Sequence, residues 1–587
     1  MYGIIGNGET CAFVSVFASI DWLCLPRFDS PTVFARALDS ERGGALMLSY
    51  EKGGSVLPFQ AGRQRYLEDT CVLETTTAVD DDTVRTIDFM PWGLRRIWRI
   101  FGVSGPERFR LHVDIEPRPD YNRARPEIAV TEGGIAVIGP GQAIYVTSPE
   151  PYTMRKRRMT FDLEPPRAVP LLLSYGESPE ESVLAAEAAD FGKEYRRQVE
   201  GWRRYAAKAH PVFELDPRLH YYYMRSLLVL KLLTYDRTGA ILAAPTTSFP
   251  EIVGGAANWD YRFCWVRDGA YSAEALALAG MRDDARKLLD FLLGIARGDG
   301  GKPYPHPLVS VDGTLRGTDE VIVEALAGFG NSRPVRVGNK AVDQRQNDLE
   351  GEVVHAVYVY DRHSGDRGYA RERFCDVARI VEYVRGHWRE KDAGIWEFRR
   401  EYMDYVHSKT MCWAALEYGA RLAERVGQDS RAAAWRDEAA IVREDVIANG
   451  WSERKKCFKR AYQDDAYDAS VLAVPLVHML PVDDPRVRST VKAITDHLGT
   501  GGLLKRFEEE PHAFMLSSLW LAQVLMKRGK AVSALDIINR AARYASSDLG
   551  LFAEEYDMYY QRLVGNIPQS FSHEEFIKSI QALLGRE

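Results

Sequence analysis

The segment "SPEESVLAAEAADFGKEYRRQVEGWRRYAAKA", residues 178–209, separates two parts of the chain that differ in hydrophobic period. Before it, residues 63–92 and 134–148 alternate β-branched and polar side chains, and Gly and Pro interrupt the alternation at short intervals. Several short strands joined by such turns are typical of an antiparallel β-sandwich. The segment itself has helical spacing. We therefore predict a β-sandwich domain over residues 1–190 and a helical linker over residues 191–214.

After the linker, apolar residues recur with a period close to 3.6, as in "RLHYYYMRSLLVLKLLTY" (218–235) and "HAFMLSSLWLAQVLMKRG" (512–529). About a dozen such segments follow one another over residues 215–587, which predicts an all-α domain. No sequence repeat of fixed length is visible, which argues against a solenoid. A closed, double-layered ring of helix pairs and an open bundle both fit this pattern, and periodicity alone leaves the choice open.

The composition argues against several classes of function. The chain has 587 residues and a net charge of −7, without a basic stripe that could follow a phosphate backbone. We therefore expect no nucleic-acid partner. Neither a signal peptide nor a stretch of about 18 apolar residues is visible, so no membrane span is predicted. The seven cysteines show no CxxC spacing, which predicts reduced thiols in a cytoplasmic protein.

The sequence lacks the signatures of several other catalytic chemistries: it has no phosphate-binding loop, no dinucleotide fingerprint, no GxSxG and no HExxH. No cofactor and no metal centre is therefore predicted, and carboxylates become the leading candidates for catalysis. Most of the 83 Asp and Glu residues are expected at the surface, so candidates have to be selected by their neighbours. Three segments stand out: Glu397 in "GIWEF", Glu554 and Glu555 in "FAEEYD", and Asp348, Glu350 and Glu352 in "NDLEGE".

Two of these carboxylates suit different tasks. Glu397 follows Trp396 in a turn that contains Gly, and an apolar indole face raises the pKa of a carboxyl group, as a general acid requires. Glu554 has a carboxylate neighbour and polar surroundings in which it can stay ionised and act as a base. Glycoside hydrolysis needs this division of labour. The alternative is that Glu397 is a plain surface residue, and that Glu350 and Glu352 only favour a helix N-terminus.

The stretch "NWDYRFCWVRDGAY", residues 258–271, places two Arg and two Asp among five aromatic rings. Buried charges have to be paired and hydrogen-bonded. The stretch is therefore either a core segment with two ion pairs or the wall of a site for a flat, hydroxyl-rich ligand such as a sugar. Trp259, Tyr261 and Trp265 are candidates for that wall, and helix packing is the alternative for Trp265.

Five segments that occur in one order along the chain resemble those of a known family. They are "SIDWLCLPRFDSPTVFARALD" (19–39), "WDYRFCWVRD" (259–268), "VRVGNKAVDQRQNDLEGEVVHAVY" (335–358), "GIWEF" with "HSKTMCWAALE" (394–398 and 407–417), and "GLFAEEYD" with "GNIPQSFSHEEFI" (550–557 and 565–577). The chain resembles the compact prokaryotic branch of the glucoamylase and trehalase family of inverting α-glucoside hydrolases over nearly its whole length. The resemblance implies an N-terminal β-sandwich and a catalytic (α/α)6 barrel over residues 215–587, with the active site at one end of the barrel.

The resemblance also implies roles for single residues. "WVRD" is similar to the segment that holds the innermost sugar, which nominates Arg267 and Asp268. "IWEF" is similar to the segment with the general acid, which nominates Glu397, although Phe398 stands where glucoamylases often have a second acidic residue. "FAEEYD" is similar to the segment with the catalytic base, and its first Glu is Glu554.

Further residues are implied as contacts of the sugar. "QRQND" resembles a substrate-side loop, which nominates Gln346 and Asp348, and Trp265 and Trp396 are expected as walls. Glu350 stands where relatives often have Tyr, so the roles of Glu350 and Glu352 are open. Glu352 is the second candidate for the acid.

The implied reaction is the exo-acting hydrolysis of a terminal α-glucosidic bond, with release of β-glucose. Inversion requires carboxyl groups about 6.5–9.5 Å apart, so that a water molecule fits between base and sugar. A small carbohydrate is the expected partner, and trehalose and short maltooligosaccharides are favoured over isomaltose-type substrates and starch. The alternatives are a sugar phosphorylase of similar architecture and a glycan-binding protein without catalysis. The sequence predicts no oligomeric state.

Overall fold

A computed structural model describes residues 2–52, 54–79, 82–104, 109–131, 133–164, 167–212, 215–298, 300–544 and 548–586. Its first part consists of antiparallel strands: β1 (Tyr2–Gly6), β2 (Cys11–Ser15), β3 (Ile20–Cys24), β4 (Thr32–Phe34), β5 (Ala45–Lys52), β6 (Ser55–Pro58), β7 (Arg63–Tyr66), β8 (Leu73–Val79), β9 (Asp82–Phe89), β10 (Arg96–Ser104), β11 (Phe109–Glu116), β12 (Glu127–Thr131), β13 (Gly134–Gly139), β14 (Gln142–Thr147), β15 (Thr153–Arg155), β16 (Arg158–Leu163) and β17 (Arg167–Gly176).

These strands form two sheets within the described residues. One sheet has the order β1-β2-β3-β5-β11-β16-β15, with β4 on β3 and β6 on β5, and the other has the order β12-β13-β14-β17-β10-β9-β8-β7. Alternate residues of β11, namely Leu111, Val113 and Ile115, are fully buried in a core that they share with Phe101 and Val103 of β10. The predicted period of two thus reflects one buried face per sheet, and the β-sandwich is confirmed.

The rest of the chain is helical. The helices are α1 (Pro119–Asn122, a single turn inside the sandwich), α2 (Pro179–Glu187), α3 (Phe191–Ala206), α4 (Pro217–Leu233), α5 (Val266–Leu278), α6 (Arg282–Ile295), α7 (Leu349–His363), α8 (Tyr369–His387), α9 (Val406–Arg425), α10 (Asp429–Gly450), α11 (Ala473–Leu476), α12 (Pro485–Leu498), α13 (Met515–Lys527), α14 (Ala531–Tyr544) and α15 (Ser570–Leu583). Short strands lie in the connections: β18 (Cys264–Trp265), β19 (Leu308–Val309), β20 (Val321–Ile322), β21 (Arg336–Val337), β22 (Trp451–Ser452), β23 (Cys457–Phe458), β24 (Gly499–Thr500), β25 (Leu503–Leu504), β26 (Ala513–Phe514), β27 (Glu555–Asp557) and β28 (Arg562–Val564).

Helices α4 to α15 form a closed double ring. The inner ring runs α5, α7, α9, α11, α13 and α15, and α15 contacts α5 again. The outer ring consists of α4, α6, α8, α10, α12 and α14, each of which follows or precedes its inner partner in the sequence. The inner helices are buried on nearly all sides, as α5 is from Val266 to Ala277, whereas α6 buries only one stripe. The structure therefore confirms the (α/α)6 barrel rather than an open bundle.

The sandwich and the barrel are joined by buried polar contacts. The indole Nε1 of Trp22 donates to the carbonyl oxygen of Pro245 over 3.0 Å. Arg262 pairs with Asp260 at 2.6 Å and donates to the carbonyl oxygen of Ser30 over 2.9 Å. Its guanidinium also lies 5.5 Å from the ring centre of Tyr121. We propose the domain boundaries 1–190, 191–214 and 215–587, which the bounds of these elements support. In the described part of the chain, we find no helix with the length and apolar character that a membrane crossing needs.

Candidate active site

A cavity lies where the inner helices of the barrel begin. Arg267 and Asp268 are in the first turn of α5, Leu516 is in the first turn of α13, and Gln569 directly precedes α15. Seven of the residues predicted from the sequence line this cavity: Tyr261, Trp265, Arg267, Asp268, Trp396, Glu397 and Glu554. Two carboxylates that are far apart in the sequence thus face one space, because the closed ring brings its connecting loops together.

Glu397 stands in a tight turn that precedes α9. Its backbone N–H donates to the carbonyl oxygen of Gly394 over 3.1 Å, and its φ angle is 56°, in the left-handed region that disfavours residues with a Cβ. The side chain of Gln344 donates to the carbonyl oxygen of Glu397 over 3.0 Å and fixes the turn. Strain of this kind persists only where the surroundings enforce it, and it is concentrated at functional sites.

Three donors converge on one oxygen of Glu397. Trp265 Nε1 donates to Oε1 over 2.7 Å, Gln346 Nε2 over 3.1 Å and Arg267 Nη2 over 3.3 Å. Among the described residues, no hydrogen bond engages Oε2, and the side chain is 23% exposed. One oxygen is therefore held in place while the other can meet a ligand. The indole of Trp396, which the sequence pairs with Glu397, donates instead to Asp468 over 2.8 Å.

Glu554 directly precedes β27 and is buried. Tyr261 Oη donates to its Oε1 over 2.9 Å, and Oε2 has no partner in the part of the chain that the structure describes. Gly565 has a φ angle of 81°, and a Cβ at this position would lie 3.1 Å from Glu554 Oε2. Glycine therefore allows β28 to approach the carboxylate closely.

A second cluster of charges surrounds Glu554. Arg506 contacts Glu251 at 2.8 Å and Glu555 at 3.4 Å, and it also pairs with Glu510. Burial raises the pKa of Glu554 well above its ordinary value; Glu251 raises it further, whereas Arg506 lowers it. The sequence predicts polar surroundings in which this carboxyl group stays ionised. The structure differs because Glu554 is buried and because several carboxylates share one guanidinium.

The stretch 258–271 supplies the donors for both carboxylates. Tyr261 contacts Glu554 and Trp265 contacts Glu397, and the two rings pack edge to face with their centres 5.5 Å apart. Between them, the side chain of Arg262 is directed to the sandwich. The two Arg residues of this stretch therefore serve different purposes: Arg262 joins the domains, and Arg267 belongs to the site.

The substrate-side loop supports Arg267. Arg267 Nη1 donates to Gln346 and to Asp348, both over 2.9 Å. Burial alone would raise the pKa of Asp348, but Arg267 holds it below the ordinary value. In the described part of the chain no ion pair engages the neighbouring Asp268, and burial raises its pKa to about 7 although Arg267 lowers it. Gln346 and Asp348 thus lie behind the cavity wall, where they orient Arg267.

Glu352 and Glu350 lie away from the catalytic cavity. Glu352 accepts a hydrogen bond from Tyr271 over 2.8 Å, deeper in the barrel, and Glu350 pairs with Lys302 at 3.0 Å. Ligand atoms of Asp348, Glu352 and His407 lie within 4.8 Å of one another, a spacing that a metal ion could use. Arg267 already places a positive charge on Asp348, and this opposes a cation there.

Several residues of the site escape the sequence reasoning. Arg506 lies in the charged segment "KRFEEEPHAF", and Glu251 stands in a segment without a distinctive pattern. Gln569 lies in "GNIPQSFSHEEFI", which carries the family resemblance but nominates no single residue. Only the crowding of apolar and charged residues in the stretch 258–271 signals that partners for charges must come from elsewhere. Those partners lie far away in the sequence, at 81 residues for Arg267 and Asp348 and at 293 residues for Tyr261 and Glu554.

Comparisons with known proteins agree with this architecture. The family model of glycosyl hydrolases family 15 matches residues 217–581, and that of trehalase-like N-terminal domains matches residues 2–156. The chain is 34% identical to a trehalase of Mycolicibacterium smegmatis, over 100% of this chain and 91% of that protein. It is 31% identical to trehalase 2 of Sulfolobus acidocaldarius, over 99% of this chain and 98% of that protein.

One solved structure has the same fold over the whole length. It is a bacterial glucoamylase in complex with acarbose, with a TM-score of 0.76 and 14% sequence identity, over 100% of this chain and 94% of that chain. The family models, the two relatives and the shared fold lead to one assignment. The chain is a glycoside hydrolase and belongs to glycosyl hydrolases family 15.

Proposed function

We propose that the chain hydrolyses the α-glucosidic bond of trehalose with inversion and releases β-glucose. The observation that carries the proposal is the placement of Glu397 and Glu554 on one cavity, each held by its own aromatic donor. Relatives of almost equal length that are named trehalases support trehalose as the substrate.

The site suggests how the reaction proceeds. Arg267 and Asp268 bind hydroxyl groups of the innermost glucose, and Tyr271 closes the far end of the cavity, which supports exo action. Glu397, protonated, donates to the glycosidic oxygen through Oε2, which no hydrogen bond from the described residues engages. Glu554, ionised, takes a proton from a water molecule on the opposite face of the ring. The water adds from that face and gives the β-anomer.

The raised pKa of Glu554 suits this task. A base with a pKa nearer to the working pH takes up a proton more readily than an ordinary carboxylate does. A phosphorylase needs no such base, because phosphate itself attacks the sugar, so Glu554 favours hydrolysis over the alternative reaction.

A panel of glucosides tests the proposal. We expect glucose release from trehalose to exceed release from maltose, maltotriose, isomaltose and starch, without any need for phosphate as a co-substrate. Proton NMR of the first products of trehalose should show β-glucose and α-glucose in equal amounts, because the glucose that leaves with the glycosidic oxygen keeps its α configuration. Release of α-glucose alone would contradict inversion, and preferred cleavage of maltotriose or starch would contradict trehalose as the substrate.

The charge cluster around Glu554 predicts the pH dependence of activity. A raised pKa means that Glu554 stays protonated to a higher pH than usual, so the acidic limb of kcat/KM should lie above the ordinary Glu range. Glu251→Gln removes the nearby negative charge that raises this pKa. We therefore expect the acidic limb to move to lower pH by about one unit.

Glu438→Gln is the matched control for this prediction. Glu438 accepts a hydrogen bond from Trp388 over 2.7 Å, as Glu251 does from Trp259 over 2.9 Å, but it lies on the outer helix α10. Its variant should leave the acidic limb unchanged. An acidic limb that does not move in Glu251→Gln would show that Glu554 is not the group whose ionisation it reports.

A further inference from the structure

A cavity beside helix α3 lies outside the catalytic site, and we call it the linker cavity. Its lining comes from Pro91, Trp92 and Leu94 in the turn between β9 and β10, from one side of α3, and from Lys231 of α4. It encloses about 280 Å³, just below the roughly 300–1,000 Å³ that is usual for pockets of drug-sized ligands. The space therefore suits one small ring, and none of its lining residues belongs to the catalytic cavity.

Three aromatic rings form the walls of the linker cavity. Trp92 and Trp202 pack edge to face with their ring centres 5.3 Å apart, and Tyr205 packs edge to face on Trp202 at 6.3 Å. All three residues line the cavity. Flat apolar walls of this kind suit a sugar ring, which presents C–H groups on its faces and hydroxyl groups at its rim.

Two of these rings carry donors without partners. Neither Nε1 of Trp202 nor the hydroxyl group of Tyr205 has a hydrogen-bond partner among the described residues, although Trp202 is only 4% exposed and Tyr205 only 9%. A buried Trp N–H or Tyr O–H usually finds a partner, and each exception calls for an explanation. A ligand that brings hydroxyl oxygens into the cavity supplies an acceptor for both groups.

Lys231 brings a positive charge to the linker cavity, but this charge is balanced. Its Nζ contacts Asp284 at 2.9 Å and Asp236 at 3.3 Å. It also lies 5.0 Å from the ring centre of Trp92 and 5.6 Å from that of Tyr205, as in cation–π contacts. Two carboxylates and two rings thus engage the ammonium group, which leaves no surplus charge for an anionic ligand.

The other charged residues of the lining favour the same conclusion. Glu194 is paired with Arg96 at 2.6 Å, and both side chains are at most 8% exposed. Arg197 and Arg204 line the cavity where it meets solvent and are exposed, so salt screens their charge. The linker cavity therefore favours an uncharged ligand, whose hydroxyl groups can still accept hydrogen bonds from the two arginines.

A glycine keeps space open beside α3. Gly201 stands in the interior of this helix and lines the cavity, and a Cβ at this position would come within 4 Å of no atom outside its own stretch of helix. Packing therefore does not require glycine here, although glycine lowers the stability of a helix interior. The open space is thus available to a ligand.

We propose that the linker cavity binds one neutral sugar ring, such as glucose, against its aromatic walls. Hydroxyl groups of the sugar accept hydrogen bonds from Nε1 of Trp202 and from the hydroxyl group of Tyr205. The bound sugar contacts the sandwich, α3 and the first helix of the barrel at once. This site is distinct from the catalytic cavity and does not depend on which glucoside the enzyme cleaves.

Equilibrium dialysis of the full chain against labelled glucose tests the proposal. Gly201→Leu places a side chain in the open space beside α3, and leucine favours a helix more than glycine does, so the variant should fold. We expect the wild type at saturation to bind one glucose molecule more per chain than Gly201→Leu, whatever the catalytic cavity binds. Tyr205→Phe removes only the hydroxyl group and should weaken binding at this site about fivefold. Turnover of the best glucoside substrate should equal that of the wild type in both variants.

Two matched variants locate the ligand. Gly386→Leu adds the same side chain to a glycine of α8 that also has open space around it. Tyr195→Phe removes a hydroxyl group from α3 at a position that does not line the cavity. Both should bind glucose as the wild type does.

Three outcomes would overturn the proposal. They are equal numbers of bound glucose molecules in the wild type and Gly201→Leu, an unchanged affinity of Tyr205→Phe, and displacement of this glucose by inorganic phosphate at equal concentration, which would indicate an anion site. Because dialysis measures no turnover, these outcomes are independent of the test with glucosides.

Discussion

Glu397→Gln is expected to lower the turnover of trehalose by about 10²–10⁴-fold, the contribution of a positioned general acid, and to leave hydrolysis of α-glucosyl fluoride nearly intact. Fluoride departs without protonation, so a variant without the acid can still cleave this substrate. Glu554→Gln is expected to lose activity on both substrates, because each needs an activated water molecule. Steady-state kinetics on the two substrates measure the difference.

Glu352→Gln is the control that separates the two candidates for the acid. Glu352 does not line the catalytic cavity and contacts Tyr271 deeper in the barrel, so its variant should show the same ratio of the two activities as the wild type. Selective retention of fluoride hydrolysis in Glu352→Gln, together with unchanged trehalose turnover in Glu397→Gln, would transfer the role of acid to Glu352. Wild-type activity of Glu554→Gln on trehalose would remove the assignment of the base.

Arg262→Met is expected to lower the free energy of unfolding by about 3–5 kcal/mol, because it leaves Asp260 buried without its partner. Both side chains of this pair are at most 1% exposed. Asp260 also accepts from the backbone N–H of Gly338, so the loss would loosen a loop beside the site as well as the junction of the domains. Urea unfolding followed by tryptophan fluorescence measures the effect.

Arg454→Met is the matched control for the junction. Arg454 pairs with Asp465 at 2.6 Å, but its side chain is 74% exposed, and exposed pairs contribute little to stability. Its unfolding curve should coincide with that of the wild type. If Arg262→Met also unfolds as the wild type does, the buried pair does not stabilise the junction of sandwich and barrel.

The sequence predicts the two domains well but not the closure of the barrel. Apolar residues recur with a period of two in strands and of 3.6 in helices, because each element buries one face. Residues 178–209 separate the part of the chain with the first period from the part with the second. The inner helices are buried on nearly all sides, so no solvent-exposed polar face distinguishes a helix of a closed ring from a helix of a bundle. In α13, for example, every residue from Met515 to Leu525 is buried. Ring and bundle therefore look alike in the pattern, and only the resemblance to known hydrolases favours the ring.

The sequence predicts only part of the candidate site. Short motifs nominate Glu397 and Glu554, and both line one cavity in the structure. Arg506 could not be found, because a charged loop gives no sign that its guanidinium will be buried among carboxylates from distant segments. The long-range pairing of Tyr261 with Glu554 was equally hidden, since the sequence does not state which side chains meet across a closed ring.

The left-handed backbone at Glu397 has a consequence for directed evolution of this enzyme. At such a position the backbone alone favours glycine over a residue with a side chain by about 1 kcal/mol. Glycine at residue 397 would also lose the three hydrogen bonds to Oε1, so a screen for heat resistance alone weighs strain against these bonds and exerts no selection for the acid that we propose. Libraries that include this turn have to be selected for glucose release and thermal tolerance together.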